Sequence, residues 1–345
     1  MRWIKNFYRE NYKTVIFLIL FYLIIRFPVP YYVFTSGGIT DLSLRFELDS
    51  KTKQDGSYNL SYVSQVEGNV LTFLLAKIIP SWELVKLGDY QVSSNETLEE
   101  MAIRDKLSLL YANQTAVYLS YTKAGKDLEI KNVDFYVVAV YDFLESDKKI
   151  KIGDKLIKID DLEISEFNEI SSYIKEKEVG DQVSLTFERD SSNYTTNVVV
   201  QDYNGLKVVG LAFYQIFDMN PSPSIKFTFS DSESGSSAGL MTTLAIYDAL
   251  VDVDLTHGLK IAGTGTVDSL GNVGEIGGVV YKLNGAVAGD ADIFFVPNGE
   301  NYEEAMKAKK KKKYDIEIVP VNTFDDAIEY LNNLKNKKNN WFIIR

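Results

Sequence analysis

The stretch from residue 231 to residue 240 reads DSESGSSAGL, and its serines and glycines lead directly into a helical pattern. Serine and glycine are common at helix N-termini, because a serine oxygen can accept a hydrogen bond from an N–H group that the first turn leaves unpaired. Helix capping therefore explains this stretch when it is taken alone. The alternative, a nucleophilic serine at the mouth of a helix, requires a base elsewhere in the chain.

The candidate base is a lysine. A serine becomes a useful nucleophile only when a base removes its proton and nearby donors stabilise the oxyanion that follows. The single histidine, His257, lies in a polar connector, DLTHGLK. Lys282, by contrast, lies in the run GEIGGVVYKLNGAVAG, which has no acidic residue between Gly277 and Gly289. Burial there would lower the pKa of the amine and let it accept a proton near neutral pH.

Together the two stretches resemble the Lon-type serine protease family. In that family a Pro-Ser-Ala-Gly signature carries the nucleophile and a Gly-Gly-x-x-x-Lys signature carries the base. This chain has Gly-Ser-Ser-Ala-Gly at 235–239 and Gly-Gly-Val-Val-Tyr-Lys at 277–282. The resemblance implies that Ser237 is the nucleophile and Lys282 the base, and that the hydroxyl of Thr264 orients the lysine.

The residues around Ser237 are expected to form the oxyanion and substrate loop, namely Gly235, Ser236 and Ala238. Small side chains let a substrate backbone approach closely, and glycine permits a turn that few other residues allow. A helix N-terminus also directs N–H groups toward a developing negative charge. Ser236 replaces the usual proline of the family, so the rim of the site is expected to differ while the dyad is intact.

Composition excludes several classes of protein. The chain of 345 residues has no cysteine and one histidine, which excludes disulfides, thiolate metal sites, a cysteine nucleophile and multi-histidine metal centres. We therefore expect no metal and no cofactor. The net charge of −11 argues against nucleic acid as a partner. The lysine run KAKKKKKY at 307–314 is a local exception and is predicted to be a solvated helix end.

The N-terminus predicts a membrane anchor. Basic residues at positions 2 to 13 precede an apolar run from Val15 to Ile25. A helix from about Tyr12 to Tyr32 would supply the roughly 20 residues that a bilayer requires. The bulky sequence FPVPYY follows, where a cleavable signal peptide would need small residues. We therefore expect an uncleaved, single-pass protein of the cell membrane, with its N-terminus in the cytoplasm and its catalytic residues outside the cell.

Residues 121–205 have a different pattern of short β-branched strands around one helix, EFNEISSYIKEK. Gly-Asp turns at 153–154 and 180–181 flank that helix, which predicts a small β-rich module. These residues resemble a PDZ domain, a fold that binds an extended peptide by adding it to a sheet edge. The family's carboxylate-binding loop contains glycine, whereas the matching residues 133–138, VDFYVV, do not. Peptide capture and a structural or gating role therefore both stay open.

The remaining segments predict an α+β protein. Residues 206–345 alternate strand and helix patterns, as an α/β protease domain would. In residues 36–120, the strand-like GNVLTFLL and the helix-like LEEMAIRDKLSLLYA resemble the elements that precede the serine signature in Lon-type domains. We therefore expect a cytoplasmic tail and anchor at 1–35, an N-terminal part of the protease domain at 36–120, a PDZ-like insertion at 121–205 and the Lon-type protease domain at 206–345.

The order of anchor, PDZ and protease resembles the PDZ-containing, membrane-anchored Lon-like proteases of Gram-positive bacteria. The chain has no G-x-x-x-x-G-K-[ST] phosphate loop, so no nucleotide is expected as a partner. The resemblance implies an ATP-independent serine endopeptidase that cleaves exported peptides. Among streptococci, such a substrate is the competence-stimulating peptide, a quorum-sensing pheromone.

Two other classes remain as alternatives. The first is a catalytically inert, PDZ-based protein that binds or tethers peptides, and the intact dyad argues against it. The second is a signal-peptidase-like Ser/Lys enzyme, in which the serine lies just beyond the membrane span. Ser237 lies some 200 residues downstream of the apolar run, which argues against that class. The sequence leaves the oligomeric state open.

Overall fold

The computed structural model of the chain describes the backbone of residues 2–49, 54–141, 149–230 and 232–343. Asp231, the first residue of the serine-rich stretch, lies outside the described residues. The fold is mixed α+β, and the chain divides into two compact units. One consists of Met1–Gly37 and Val63–Gln91, and the other of Gly38–Tyr62 and Val92–Arg345.

The first part of the chain forms α1 (Arg2–Ile25), β1 (Pro28–Asp41), β2 (Phe46–Leu48), β3 (Ser57–Asn69), α2 (Val70–Ile78), β4 (Trp82–Lys86), α3 (Leu87–Tyr90) and α4 (Leu98–Ala124). The middle part forms β5 (Asp127–Val140), β6 (Lys155–Ile159), β7 (Leu162–Glu163), α5 (Phe167–Glu176), β8 (Gln182–Arg189), β9 (Ser192–Val199), β10 (Gln201–Tyr203), β11 (Leu206–Val208) and β12 (Leu211–Ser222). The last part forms β13 (Ile225–Phe227), α6 (Gly239–Leu250), β14 (Lys260–Gly263), β15 (Thr266–Val267), β16 (Val273–Gly274), α7 (Val279–Ala288), β17 (Ile293–Pro297), α8 (Glu300–Lys312), β18 (Glu317–Val321) and α9 (Phe324–Ile343).

In the first unit, the N-terminal helix is shorter at its C-terminal end than the sequence predicts. Helix α1 ends at Ile25, and residues 28–32 of the predicted helix lie in strand β1, which pairs antiparallel with β4. The cause is Pro28 and Pro30, because proline has no N–H to donate and keeps the residue before it out of the helical region. Within the described part of the chain, no helix combines the length and the apolar character that crossing a membrane requires.

The predicted strand GNVLTFLL is also wrong, because most of it is helix α2. A capping box begins this helix: Asn69 Oδ1 accepts a hydrogen bond from Thr72 N at 3.0 Å, and Thr72 Oγ1 accepts one from Asn69 N at 2.9 Å. A short apolar run is compatible with a strand or a helix. The cap decides for the helix, since it satisfies two donors that the first turn would otherwise leave unpaired.

In the second unit, a parallel sheet positions the predicted site. Strand β14 lies between β17 and residues 57–60 of β3, and β18 pairs with the outer side of β17. Alternate side chains of β17 point to opposite faces. Ile293 and Phe295 pack with α6 and α9, whereas Phe294 and Val296 pack with α7 and α8.

Helix α6 is the centre of the larger core. Nearly the whole helix is buried, because α4 packs along it as well as the sheet. The two helices are also joined by a hydrogen bond from Ser120 Oγ to Thr243 O at 3.0 Å. The N-terminus of α6, where the serine stretch ends, is therefore held rigidly.

The β-rich middle part forms an antiparallel sheet of its own, in the order β12-β5-β6-β8-β9. Its core is filled by side chains of the strands together with Ile170 and Ile174 from α5. Strands β5 and β12 form a long ladder that runs from Val140 opposite Leu211 to Asp127 opposite Ser222. Strand β5 of this ladder follows α4 in the chain, and strand β12 precedes the serine stretch.

Candidate active site

The predicted nucleophile lies in a tight turn at the N-terminus of α6. Ser237 is half-buried, and the helix begins two residues later at Gly239. Its carbonyl oxygen accepts hydrogen bonds from Gly265 N at 2.9 Å and from Thr264 Oγ1 at 3.1 Å. The turn is thus fixed to the end of strand β14.

The loop before Ser237 has an open surface and free donors. Gly235 adopts a φ of +86°, and a side chain there would meet nothing within 4 Å. Among the described residues, the amides of Ser237 and Ala238 have no hydrogen-bond acceptor. Two adjacent N–H groups at a helix N-terminus can stabilise an oxyanion.

The predicted base is buried without a counter-charge. Lys282 lies in the first turn of α7 and is 4% exposed. Its Nζ donates a hydrogen bond to Thr264 Oγ1 at 3.2 Å, and no acidic side chain pairs with it among the residues described. Loss of water around the amine lowers its pKa from 10.5 to about 7. A large part of Lys282 is therefore neutral, and so able to accept a proton, at neutral pH.

Thr264 joins the two predicted catalytic residues. Its buried hydroxyl accepts a hydrogen bond from Lys282 Nζ and donates one to Ser237 O. These two bonds place the amine within about 6 Å of the Ser237 carbonyl oxygen. Within the described part of the chain, no hydrogen bond joins Ser237 Oγ to Lys282 Nζ. In enzymes without a bound substrate such catalytic contacts are often long and tighten when substrate binds.

A residue far upstream, Ser61 of β3, holds the main chain of the base. Its buried hydroxyl donates a hydrogen bond to Lys282 O at 2.5 Å. Next to it, Gly285 of α7 packs so closely on Gly38 that an added Cβ would lie 2.9 Å from Gly38 O. Ser61 leaves no signal in the sequence, because no local pattern marks a contact between residues 221 positions apart.

Helix α4 holds the serine loop from the other side. Asp105 O accepts a hydrogen bond from Gly235 N at 2.9 Å, and Lys106 Nζ donates one to Glu233 O at 2.9 Å. The side chain of Glu233 pairs in turn with Arg45. No sequence pattern marks these contacts, because each of them joins residues that lie far apart along the chain.

The β-rich part does not leave strand β5 open for a peptide. Phe135 and Tyr136 pair with β6 on one side and with Gln215 and Tyr214 of β12 on the other. The outer edge of β12 is itself covered in part, because Phe217 N donates a hydrogen bond to the side-chain oxygen of Gln114 in α4. At Phe135 and Tyr136, a peptide could therefore add to β5 only by displacing β6 or β12.

Metal ligands do not cluster in the described residues. No group of three or more histidine, aspartate or glutamate side chains there could hold a metal ion. His257 Nε2 lies 3.0 Å from Leu331 O. Through Thr264, the fold places the amine of Lys282 close to the main chain of Ser237.

Comparison with known proteins finds two family models that match segments of the second unit. Residues 231–333 match the Lon protease (S16) C-terminal proteolytic domain. Residues 122–200 match the PDZ domain. The two matches support a Lon-like serine protease that also carries a PDZ domain. They do not test the roles of individual residues, so the Ser237/Lys282 dyad stays a prediction.

Similar proteins include Lon proteases from distant organisms. The Lon protease of Campylobacter jejuni is 34% identical over 99 residues, which are 28% of this chain and 12% of that protein. The archaeal Lon protease of Methanocaldococcus jannaschii is 34% identical over 123 residues, which are 35% of this chain and 18% of that protein. The chain thus spans less than a fifth of the length of these curated relatives.

Solved structures similar to part of this chain include two bacterial examples. The PDZ domain of an SdrC-like protein from Listeria monocytogenes is 23% identical and has a TM-score of 0.23; the alignment covers 25% of this chain and 92% of that one. A protein from Geobacillus thermodenitrificans, GtR34C, is 30% identical with a TM-score of 0.20, and the alignment covers 21% of this chain and 82% of that one.

Proposed function

We propose that this chain is a serine endopeptidase in which Ser237 is the nucleophile and Lys282 the general base. The observation that carries the proposal is the buried Lys282 amine, which pairs with no acidic side chain among the described residues and is joined through Thr264 to the main chain of Ser237. A lysine confined in this way costs stability, since burial disfavours its charged form. Such strain is typical of a catalytic group.

The geometry supports a simple sequence of proton transfers. The neutral Lys282 amine takes the proton of Ser237 Oγ as that oxygen attacks the peptide carbonyl. The N–H groups of Ser237 and Ala238 stabilise the oxyanion, and the resulting ammonium returns the proton to the leaving amine. Water then attacks the acyl-enzyme with Lys282 again acting as base, which releases the second product and restores Ser237.

The first experiment is mass spectrometry of exported peptides incubated with residues 35–345 and with its Ser237→Ala and Lys282→Ala variants. We expect each variant to lose nearly all cleavage while circular dichroism stays unchanged, because nucleophile and base act as one unit. Peptide binding without cleavage by the unaltered protein would favour the inert PDZ-based alternative. Cleavage by either variant near the rate of the unaltered protein would remove the dyad.

The substrate is proposed on the resemblance rather than on the site. We propose exported, unstructured peptides, with the competence-stimulating peptide of streptococci as the leading candidate. No phosphate-loop motif occurs in the chain, so the same proposal includes cleavage without ATP. We expect the chain to cleave a synthetic competence-stimulating peptide at the same rate with and without ATP and Mg²⁺. A folded protein substrate should resist, because nothing supplies the energy to unfold it.

The site is proposed to work at the outer face of a membrane. The apolar side chains from Ile16 to Ile24 in α1 are at least half exposed, and an apolar surface of this kind needs a partner. Basic residues before the run favour a cytoplasmic N-terminus and a single pass. Added protease should digest residues after 35 in intact protoplasts. Protection of those residues, or release of the chain by alkaline carbonate, would contradict the single pass.

A further inference from the structure

The N-terminal half of α4 presents an apolar face that the described residues cover only in part. Ile103 and Leu110 on this face are 37% and 42% exposed. The face borders a shallow depression of about 400 Å³, lined by Glu99, Ala102, Ile103, Lys106, Leu107 and Leu110. These residues recur every three or four positions, so they form one continuous stripe along the helix.

This stripe is continuous with the serine loop. Asp105 and Lys106, in the same turns of α4, hold Gly235 and Glu233 by the two hydrogen bonds described above. The space over Gly235 is open, and Ser237 follows two residues later. A peptide whose scissile bond lies at Ser237 can therefore extend over Gly235 onto the apolar stripe.

The stripe also reaches the PDZ part. Ile103 Cγ2 would lie 2.9 Å from a Cβ added at Gly153, in the turn before β6. At Phe135 and Tyr136, strand β5 is already paired on both sides, so a peptide cannot add there in the way typical of PDZ domains without displacing β6 or β12. Recognition of a substrate then requires another surface, and the stripe is an open apolar one beside the catalytic loop.

We propose that the α4 stripe is the docking surface for an apolar segment of the substrate peptide. The proposal rests on the proposed function and adds a substrate class to it: peptides that carry apolar side chains near the scissile bond. Ile103, Leu107 and Leu110 supply apolar contacts that a polar peptide cannot use. Because these contacts form before the chemistry and persist through it, they should act on KM and leave kcat nearly unchanged.

The test uses Ile103→Ser and Leu110→Ser in the full chain, with Val253→Ser as a matched control, since Val253 is 46% exposed in the loop after α6. The substrate is fluorescein-labelled casein, an unstructured protein. We expect each stripe variant to raise KM about tenfold or more, in keeping with the loss of one apolar contact. The control should stay within about twofold, and Leu110→Met should restore the affinity of Leu110.

Two further measurements make each outcome decisive. Light scattering reports whether the variants change the oligomeric state. If the variants that raise KM also dissociate the protein, the stripe is an interface between copies of the chain and the proposal is overturned. Unchanged KM in folded stripe variants would overturn it directly. If the unaltered chain cleaves nothing, the proposed function fails. Docking can then still be tested by binding alone. Fluorescence anisotropy measures how a labelled leucine-rich peptide binds to the Ser237→Ala protein and to the same stripe variants made in that protein, and an analogue with serine in place of leucine is the control.

Discussion

At the scale of the residue, Lys282 sets the pH range in which the proposed reaction can run. Its pKa is lowered to about 7 by burial, and only the neutral amine accepts the serine proton. We therefore expect kcat/KM to fall about tenfold per pH unit below 7 and to level off above it. The measurement is a pH–rate profile on a short peptide that has no titrating side chain. A rate that stays flat from pH 5.5 to 9 would rule out Lys282 as the base.

The same burial predicts that the base destabilises the fold. Folding lowers the pKa of Lys282 from its ordinary value of 10.5 to about 7, so the unfolded chain binds more protons in that interval. Stability from this group is therefore lost as pH falls from about 10.5 to 7, by up to about 1.4 kcal/mol per pH unit. Lys282→Met should be inactive but more stable, with an advantage that grows from pH 9.5 to 7 and is constant below. The measurement is chemical denaturation of both proteins at pH 9.5 and at pH 7. The same difference in unfolding free energy at the two pH values would contradict this prediction.

At the scale of the element, the sequence predicted those parts of the structure that local patterns encode. The order of strands and helices from α6 to α9 follows the apolar periodicity, and the glycines around Ser237 and Lys282 mark the two helix N-termini. The two wrong predictions of secondary structure have local causes too. Pro28 ends helix α1 before the predicted membrane span is complete, and the Asn69 cap makes the apolar run that follows it a helix rather than a strand. Contacts between distant elements left no signal, as Ser61 illustrates.

Ser61 provides the element-scale prediction, because it ties strand β3 to helix α7. Its hydroxyl binds the carbonyl of Lys282 rather than the amine, so it positions the base and touches no reacting atom. Ser61→Ala should lower stability by about 1 kcal/mol and lower kcat severalfold with little change in KM. Ser61→Thr should recover part of kcat, since it keeps a hydroxyl. If kcat of the alanine variant equals that of the unaltered chain, β3 does not position the base.

At the scale of the whole molecule, residues on both sides of the PDZ domain build one sheet. Residues 57–60 of β3 pair with β14, and α4 packs on α6, although the PDZ match at 122–200 lies between these segments in sequence. The exact boundaries of the four predicted segments stay predictions. Domains inserted in this way are tolerated where the two ends of the host lie close together, and the β5/β12 ladder brings Ile130 opposite Met219.

That ladder defines a deletion that removes the PDZ domain and keeps its stem. Replacing residues 131–218 by Asn-Gly should close a two-residue hairpin between Ile130 and Met219. We expect a folded, soluble protease that cleaves a short peptide but shows altered KM for casein, because the α4 stripe loses its neighbour at Gly153.

A fragment of residues 205–345 is the matched comparison. It lacks β3 and α4, which leaves one side of β14 unpaired and much of α6 exposed, so it should not fold cooperatively. Thermal denaturation and peptide cleavage of the two proteins decide the matter: a stable, active 205–345 fragment would show that the domains are serial and that β3 is dispensable.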